Sequence, residues 1–256
     1  MSIIFELYKA SGKKVCPPFH VRKGNCPLIV RTTSEDLLTA NVFGILKNLD
    51  PKIWLRRLLG EAIKGKDFSR HSLENLSFEF WKKYKPPINR ATREGISEVD
   101  VTLSYKDGVI FIEAKYLAPI SSKTTHDTDR NQIIRYLDLA AYHHLNYPGA
   151  VRDFSLILLM DTDEPPRVLT PCLLPKKLIE ELSGPGLFGN RRDIIDLLVK
   201  GTGWISWQNL NEILKRARDE FGMAERKFLD DLILYLTYKL REAERIRNER
   251  KQLNLF

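Results

Sequence analysis

The sequence predicts an α/β protein, a mixed β-sheet flanked by helices and followed by a C-terminal helical part. Three observations carry that expectation. Residues 98–105 alternate polar and apolar side chains, as a half-buried strand does, and residues 109–116 form a second strand directly after Asp107-Gly108, a dipeptide favoured in two-residue hairpin turns. Apolar residues at helical spacing precede this hairpin over 34–49 and follow it over 129–144. A continuous apolar strand at 154–160 closes the series.

Taken in order, residues 1–33 mix basic residues with Pro17, Pro18 and Pro27 and show no period, so they are expected to be an irregular flank. A helix then starts at Ser34, with Glu35 and Asp36 in its first turn and Leu37, Leu38, Val42, Phe43, Leu46 and Leu49 on its apolar side. Asp50-Pro51 breaks it and opens a second helix that ends near Gly65. A short strand is expected around 76–81, before Pro86-Pro87 and the hairpin. After Pro165, Pro166 and Pro171 the pattern turns helical, over 173–182, 192–199, 207–217 and 224–249. The expected division is an N-terminal flank (1–33), a core (34–170) and a C-terminal helical accessory region (171–256).

Composition narrows the classes of function. At 256 residues and 43% apolar content the chain can bury a sizeable core, and no stretch approaches the roughly 20 apolar residues that span a bilayer, so no membrane partner is expected. The segment from Met1 to Glu6 has too short an apolar run for a secretory signal, which sets the expectation of a cytoplasmic protein. Cys16, Cys26 and Cys172 are odd in number and lack zinc-site spacing, so free thiols are expected. The net charge of +8 favours an anionic partner, because Lys and Arg gain affinity for phosphates by releasing condensed counterions.

The chemistry sits on the hairpin. With Asp107 and Gly108 as the two turn residues, Thr102 falls opposite Glu113, and Asp100 opposite Lys115. One face then carries Glu98, Asp100, Thr102, Glu113 and Lys115; the other carries Val99, Val101, Leu103, Tyr105, Ile110, Ile112, Ala114 and Tyr116 and is a core face. Asp100 and Glu113, diagonal neighbours at about 7 Å, can hold one hard cation between them. Phosphodiester hydrolysis uses that combination: a divalent metal polarises the phosphoryl oxygen and acidifies a water, and an ammonium such as Lys115 stabilises charge on the phosphate. The alternative, left open by the sequence, is an exposed sheet face whose acids and lysine make surface ion pairs.

Asp100, a hairpin, then Glu113-Ala114-Lys115 after Ile110-Phe111-Ile112 resembles the PD-(D/E)xK nuclease superfamily, with Val99 in place of the nominal proline. The likeness covers about residues 34–160 and implies a restriction-endonuclease-like core of order αβββαβ. It also implies Mg²⁺ as cofactor, with Mn²⁺ able to substitute, held by Asp100, Glu113, the backbone carbonyl of Ala114 and an acid of the first helix. That acid is Glu35, with Asp36 as runner-up; a first-turn acid favoured by the helix dipole is the other reading of Glu35. Gln132 and Tyr136, four apart on one helix face, are similar to the Gln-x-x-x-Tyr pattern of RecB-like members, which contacts substrate, and Arg135 is a further candidate phosphate contact. The competing reading makes Asp129 an N-cap with Gln132 closing a capping box. The implied activity is hydrolysis of DNA by an endonuclease in defence or DNA processing, alone, as a homodimer or with a partner protein. A ribonuclease and a noncatalytic nucleic-acid-binding subunit are the alternatives.

Other signals carry less. Residues 60–67 nearly spell a phosphate-binding loop, but Asp67 stands where Ser or Thr would hold magnesium, and the first glycine follows a helical run. His126, His143 and His144 lack ligand spacing. Trp204 and Trp207 flank a helix start at Ser206 and are expected to anchor a core, although they have the chemistry to stack on bases. Arg241, Arg245, Arg247, Arg250 and Lys251 alternate with glutamates, as on a solvated helix face.

Overall fold

The computed structural model describes residues 34–69, 73, 75–90, 94–120, 130–145, 153–182 and 192–253. The flank 1–33 with Cys16 and Cys26, the expected helix start at Asp129, and His126 lie outside the described residues. Cys172 is a buried free thiol. Among the described residues no helix is long and apolar enough to cross a membrane.

Helices α1 (Glu35–Leu46) and α2 (Pro51–Ala62) come first. Each start is capped by a side chain, Ser34 on the Leu37 N–H and Asp50 on the Lys52 N–H, which satisfies donors that a helix N-terminus leaves without intrahelical partners. Strands β1 (Ser77–Tyr84), β2 (Ser97–Tyr105) and β3 (Gly108–Ala114) follow, then α3 (Gln132–Ala140) running into a π-helical turn, Ala141–Leu145, and β4 (Asp153–Met160). The chain continues through α4 (Leu169–Cys172), α5 (Pro175–Glu181), α6 (Arg192–Lys200), β5 (Thr202–Ser206), α7 (Trp207–Ala217) and the long α8 (Met223–Leu253).

The strands form one sheet in sequence order, antiparallel from β1 to β3 and parallel from β3 to β5. The α/β class and the helix-flanked mixed sheet are therefore present. One apolar cluster joins α1, α2, α7 and α8 to Val101, Leu103, Ile110, Ile112, Ile157 and Ile205 on one side of the sheet. A second joins α3 to α6 with Val109, Phe111, Phe154, Leu156 and Leu158 on the other.

Two features depart from the sequence expectation. The region 171–256, expected to be a helical part, supplies β5 between two of its expected helices, and the pairing of β5 with β4 carries the sheet past the expected boundary at 170. Thr202-Gly203-Trp204-Ile205-Ser206 is short and contains a glycine, so no strand period shows. That glycine is required by packing: a Cβ on Gly203 would lie 2.0 Å from the Ala62 carbonyl oxygen at the end of α2. Gly203→Ala is expected to destabilise the protein by about 1–3 kcal/mol, as overpacking typically does, read as a lower midpoint in thermal or urea unfolding.

The second departure is the hairpin register. Tyr105 pairs with Gly108 and Val101 with Ile112, so the turn is Lys106-Asp107, and Thr102 comes opposite Phe111 instead of opposite Glu113. The glycine acts through its missing Cβ, which would meet the Tyr105 hydroxyl oxygen at 2.2 Å. The Tyr105 ring folds over Gly108 and donates its hydroxyl to Asp153 at 2.5 Å. A shift of two residues keeps the same side chains on each face, since the strand period is two. Val99 is nevertheless removed from the expected face, joining Phe111 and Leu137 while Val101 and Leu103 stay with the other cluster.

Candidate active site

The cluster forms where β2 and β3 part. The β2–β3 pairing ends at Val101 and Ile112, and the Asp100 carboxylate takes the next free donor, the Ala114 N–H, at 2.8 Å. On the far side of β2, Phe80 pairs with Val101 and Lys82 with Val99; between them Trp81 is held at φ 50°, an unfavourable value for a bulky residue. Lys115 lies just past β3. Its N–H bonds the Leu159 carbonyl at 2.7 Å and its carbonyl accepts the Trp207 indole N–H at 3.0 Å, so the backbone that carries the ammonium is pinned from β4 and α7.

Glu113 is buried, 2% exposed, and sits at the centre. Its Oε1 lies 2.5 Å from the Lys115 ammonium and accepts from the Gln132 amide at 2.6 Å; its Oε2 accepts from the Tyr136 hydroxyl at 2.6 Å. Lys115 also pairs with Glu35 Oε1 at 3.1 Å, and Glu35 Oε2 accepts the Tyr116 N–H at 2.8 Å. Asp100, Glu113, Lys115, Glu35, Gln132 and Tyr136 are thus brought together. Glu113 is buried against α3 through Gln132 and Tyr136 and Thr102 is buried as well, whereas Glu98 of the same expected face is exposed and pairs with Lys83 at 3.9 Å.

The placement of Gln132 follows from its helix. Asn131 caps α3 by accepting the Ile134 N–H at 3.0 Å, and the Gln132 amide reaches Glu113 and the Tyr136 hydroxyl. Its Oε1 is buried with no hydrogen-bond partner, an acceptor left open inside the cluster. Arg135 is not brought there. Its guanidinium donates to Ser97 Oγ at 2.6 Å and to the Gly95 carbonyl at 3.3 Å, tying α3 to the start of β2. Asp36, the other acid considered on α1, has its pKa raised by burial, with Lys115 opposing. Trp207 is fully buried, in keeping with a core anchor. His144 packs against Tyr84 and Phe111, and burial lowers its pKa to about 4, so it stays neutral near pH 7.

Electrostatics divides the roles. Burial alone would lower the Lys115 pKa, but Glu113 and Glu35 outweigh it and hold the group above its ordinary value, so it is a standing cation at neutral pH. Burial, and then the charge of Glu113, pushes Asp100 well above the usual carboxylate range, with Lys115 and the Ala114 N–H opposing. Burial raises Glu35 too, again against Lys115. Because folding raises the Asp100 pKa, the folded state holds that proton more tightly than the unfolded one. Stability without metal is therefore full below the ordinary Asp range and falls as pH rises through the folded pKa. In EDTA at neutral pH, Asp100→Asn is expected to raise the melting temperature, with the gain shrinking on acidification; an unchanged or lower value at neutral pH would contradict this.

Sequence reasoning missed Trp207 as a support for Lys115 and Asp161 as the acceptor of the Leu117 N–H at 2.9 Å. Asp161 is visible only once β4 is known to run parallel beside β3, which brings the two strand ends together. Among the described residues no group of three or more His, Cys, Asp or Glu side chains is gathered as a metal site. Comparison of the chain with family models, curated proteins and solved structures finds no match in any of the three.

Proposed function

We propose that the chain is a metal-dependent nuclease hydrolysing phosphodiester bonds of DNA, with Asp100, Glu113 and Lys115 as its working groups on a restriction-endonuclease-like core. The observation that carries this reading is the convergence of Glu113 and Glu35 on the Lys115 ammonium, with Asp100 held beside them on the Ala114 N–H. Such a cluster is costly to desolvate unless a cation or substrate completes it. Asp100, pressed by the charge of Glu113, is the group that a cation would relieve. Carboxylates are the donor class that Mg²⁺ takes, one or two of them beside several waters. Asp100 and Glu113 would hold it, with the Ala114 carbonyl and Glu35 as further candidates.

A divalent cation bound there supplies phosphoryl polarisation and a water of lowered pKa. The chain's own residues do the rest. Lys115, kept cationic by Glu113 and Glu35, neutralises charge on the phosphate. Tyr136 and the Gln132 amide hold the Glu113 carboxylate in place, and the open Gln132 Oε1 offers an acceptor to a water.

One observation favours a second reading. Both oxygens of Glu113 already have protein donors, as expected of a noncatalytic nucleic-acid-binding protein in which the cluster serves only stability. The deciding assay incubates purified protein with linear duplex, circular duplex and single-stranded DNA, and with RNA, with and without Mg²⁺ or Mn²⁺. Metal-dependent DNA cleavage is expected. Binding without cleavage of any substrate would favour the noncatalytic protein, and preferential cutting of RNA a ribonuclease.

A further inference from the structure

Beyond the carboxylate cluster, the ends of β3 and β4 border a cavity of about 420 Å³. The Lys115 N–H bonds the Leu159 carbonyl, so Met160 lies beside the point where Lys115 leaves the sheet. Leu117, Ile120, Met160 and Val168 make apolar walls, Arg167 brings positive charge, and Arg247 is paired with Asp161, which also lines the cavity. The wall that Leu117 forms is held in place. Leu117 adopts φ 61°, and its N–H is taken by Asp161 Oδ2 at 2.9 Å. Arg247 of α8 binds the same carboxylate at 3.3 Å and also the Asp161 carbonyl. A bulky residue keeps positive φ only where its surroundings over-determine it, and such residues cluster at ligand clamps and active sites.

Position and chemistry select the ligand class. The cavity lies beyond the carboxyl ends of the parallel strands β3 and β4. The volume lies within the range of small-ligand pockets. Apolar walls accept a flat uncharged body, while a guanidinium accepts phosphate through its fork of donors. A nucleotide joins the two. We infer that this cavity receives one nucleotide of a nucleic-acid strand, its base against Leu117, Met160 and Val168 and its phosphate toward the exposed Arg167, the strand continuing to Lys115. The direction of the strand rests on the proposed nuclease reading; the binding does not.

The test measures binding in EDTA, by anisotropy of a labelled single-stranded oligodeoxynucleotide and of an abasic strand of equal length. Ala118→Trp fills the cavity from its exposed rim. It is expected to weaken binding of the intact strand by about tenfold and to leave the abasic strand unaffected. Arg167→Ala is expected to weaken both strands. If Ala118→Trp melts like the wild type yet binds the intact strand equally well, the inference is overturned. Should Ala118→Trp fold poorly, Arg167→Ala decides, and unchanged affinity for both strands overturns it. Free dAMP separates the sources: if its binding is lost in Ala118→Trp while strand binding is retained, the site belongs to a free nucleotide and the assignment to a strand is wrong. Absence of metal-dependent cleavage with the Ala118→Trp effect intact would remove the nuclease reading alone.

Discussion

Glu113→Gln, Asp100→Ala and Lys115→Ala are each expected to lower Mg²⁺-dependent DNA cleavage by about 10²–10³-fold or more, the scale of losing one preorganised group that stabilises transition-state charge. Glu113→Gln is the most informative. It removes one charge between Lys115 and Asp100 while keeping a side chain of the same size against Gln132 and Tyr136. Binding is expected to separate from turnover. Without metal, carboxylates repel phosphates, so Asp100→Ala binds DNA as well as or better than the wild type, whereas Lys115→Ala loses one attractive charge and binds less well. Single-turnover cleavage with titrated Mg²⁺, beside anisotropy in EDTA, measures both. Near-normal turnover in all three variants would reduce the cluster to a structural ion-pair network.

Arg130→Met is expected to cost about 3–5 kcal/mol of stability, the range for breaking a buried ion pair and leaving its partners charged. Arg130 is 2% exposed and pairs with Glu94 and with Asp138 Oδ2 at 2.8 Å, both buried. Its backbone directly precedes the Asn131 cap, so the network anchors the end of α3 that delivers Gln132 and Tyr136 to Glu113. Urea unfolding reads the effect. Adding Glu94→Gln and Asp138→Asn is expected to recover part of the loss, because neutral partners no longer leave charge stranded. A loss under about 1 kcal/mol for Arg130→Met alone would place the network with weak surface pairs.

Residue order alone determined the α/β class, the hairpin, the helices beside it and the face carrying Asp100, Glu113 and Lys115. Those signals are local: alternation, helical spacing and caps act within a few residues, and a two-residue slip of register preserves which side chains share a face. The four-residue spacing of Gln132 and Tyr136 on one helix face is of the same kind. Only the tertiary structure decided where that face goes. Tyr105 packs over Gly108, the turn lies at Lys106-Asp107 and Thr102 faces Phe111, and pairing with β4 made Thr202–Ser206 into β5. It also decided that Glu35 meets Lys115, that Arg135 turns to Ser97, and that Trp207 and Asp161 support the strand ends. Those contacts join residues far apart in the chain, and no pattern within a short window encodes which distant donor a carboxylate will find.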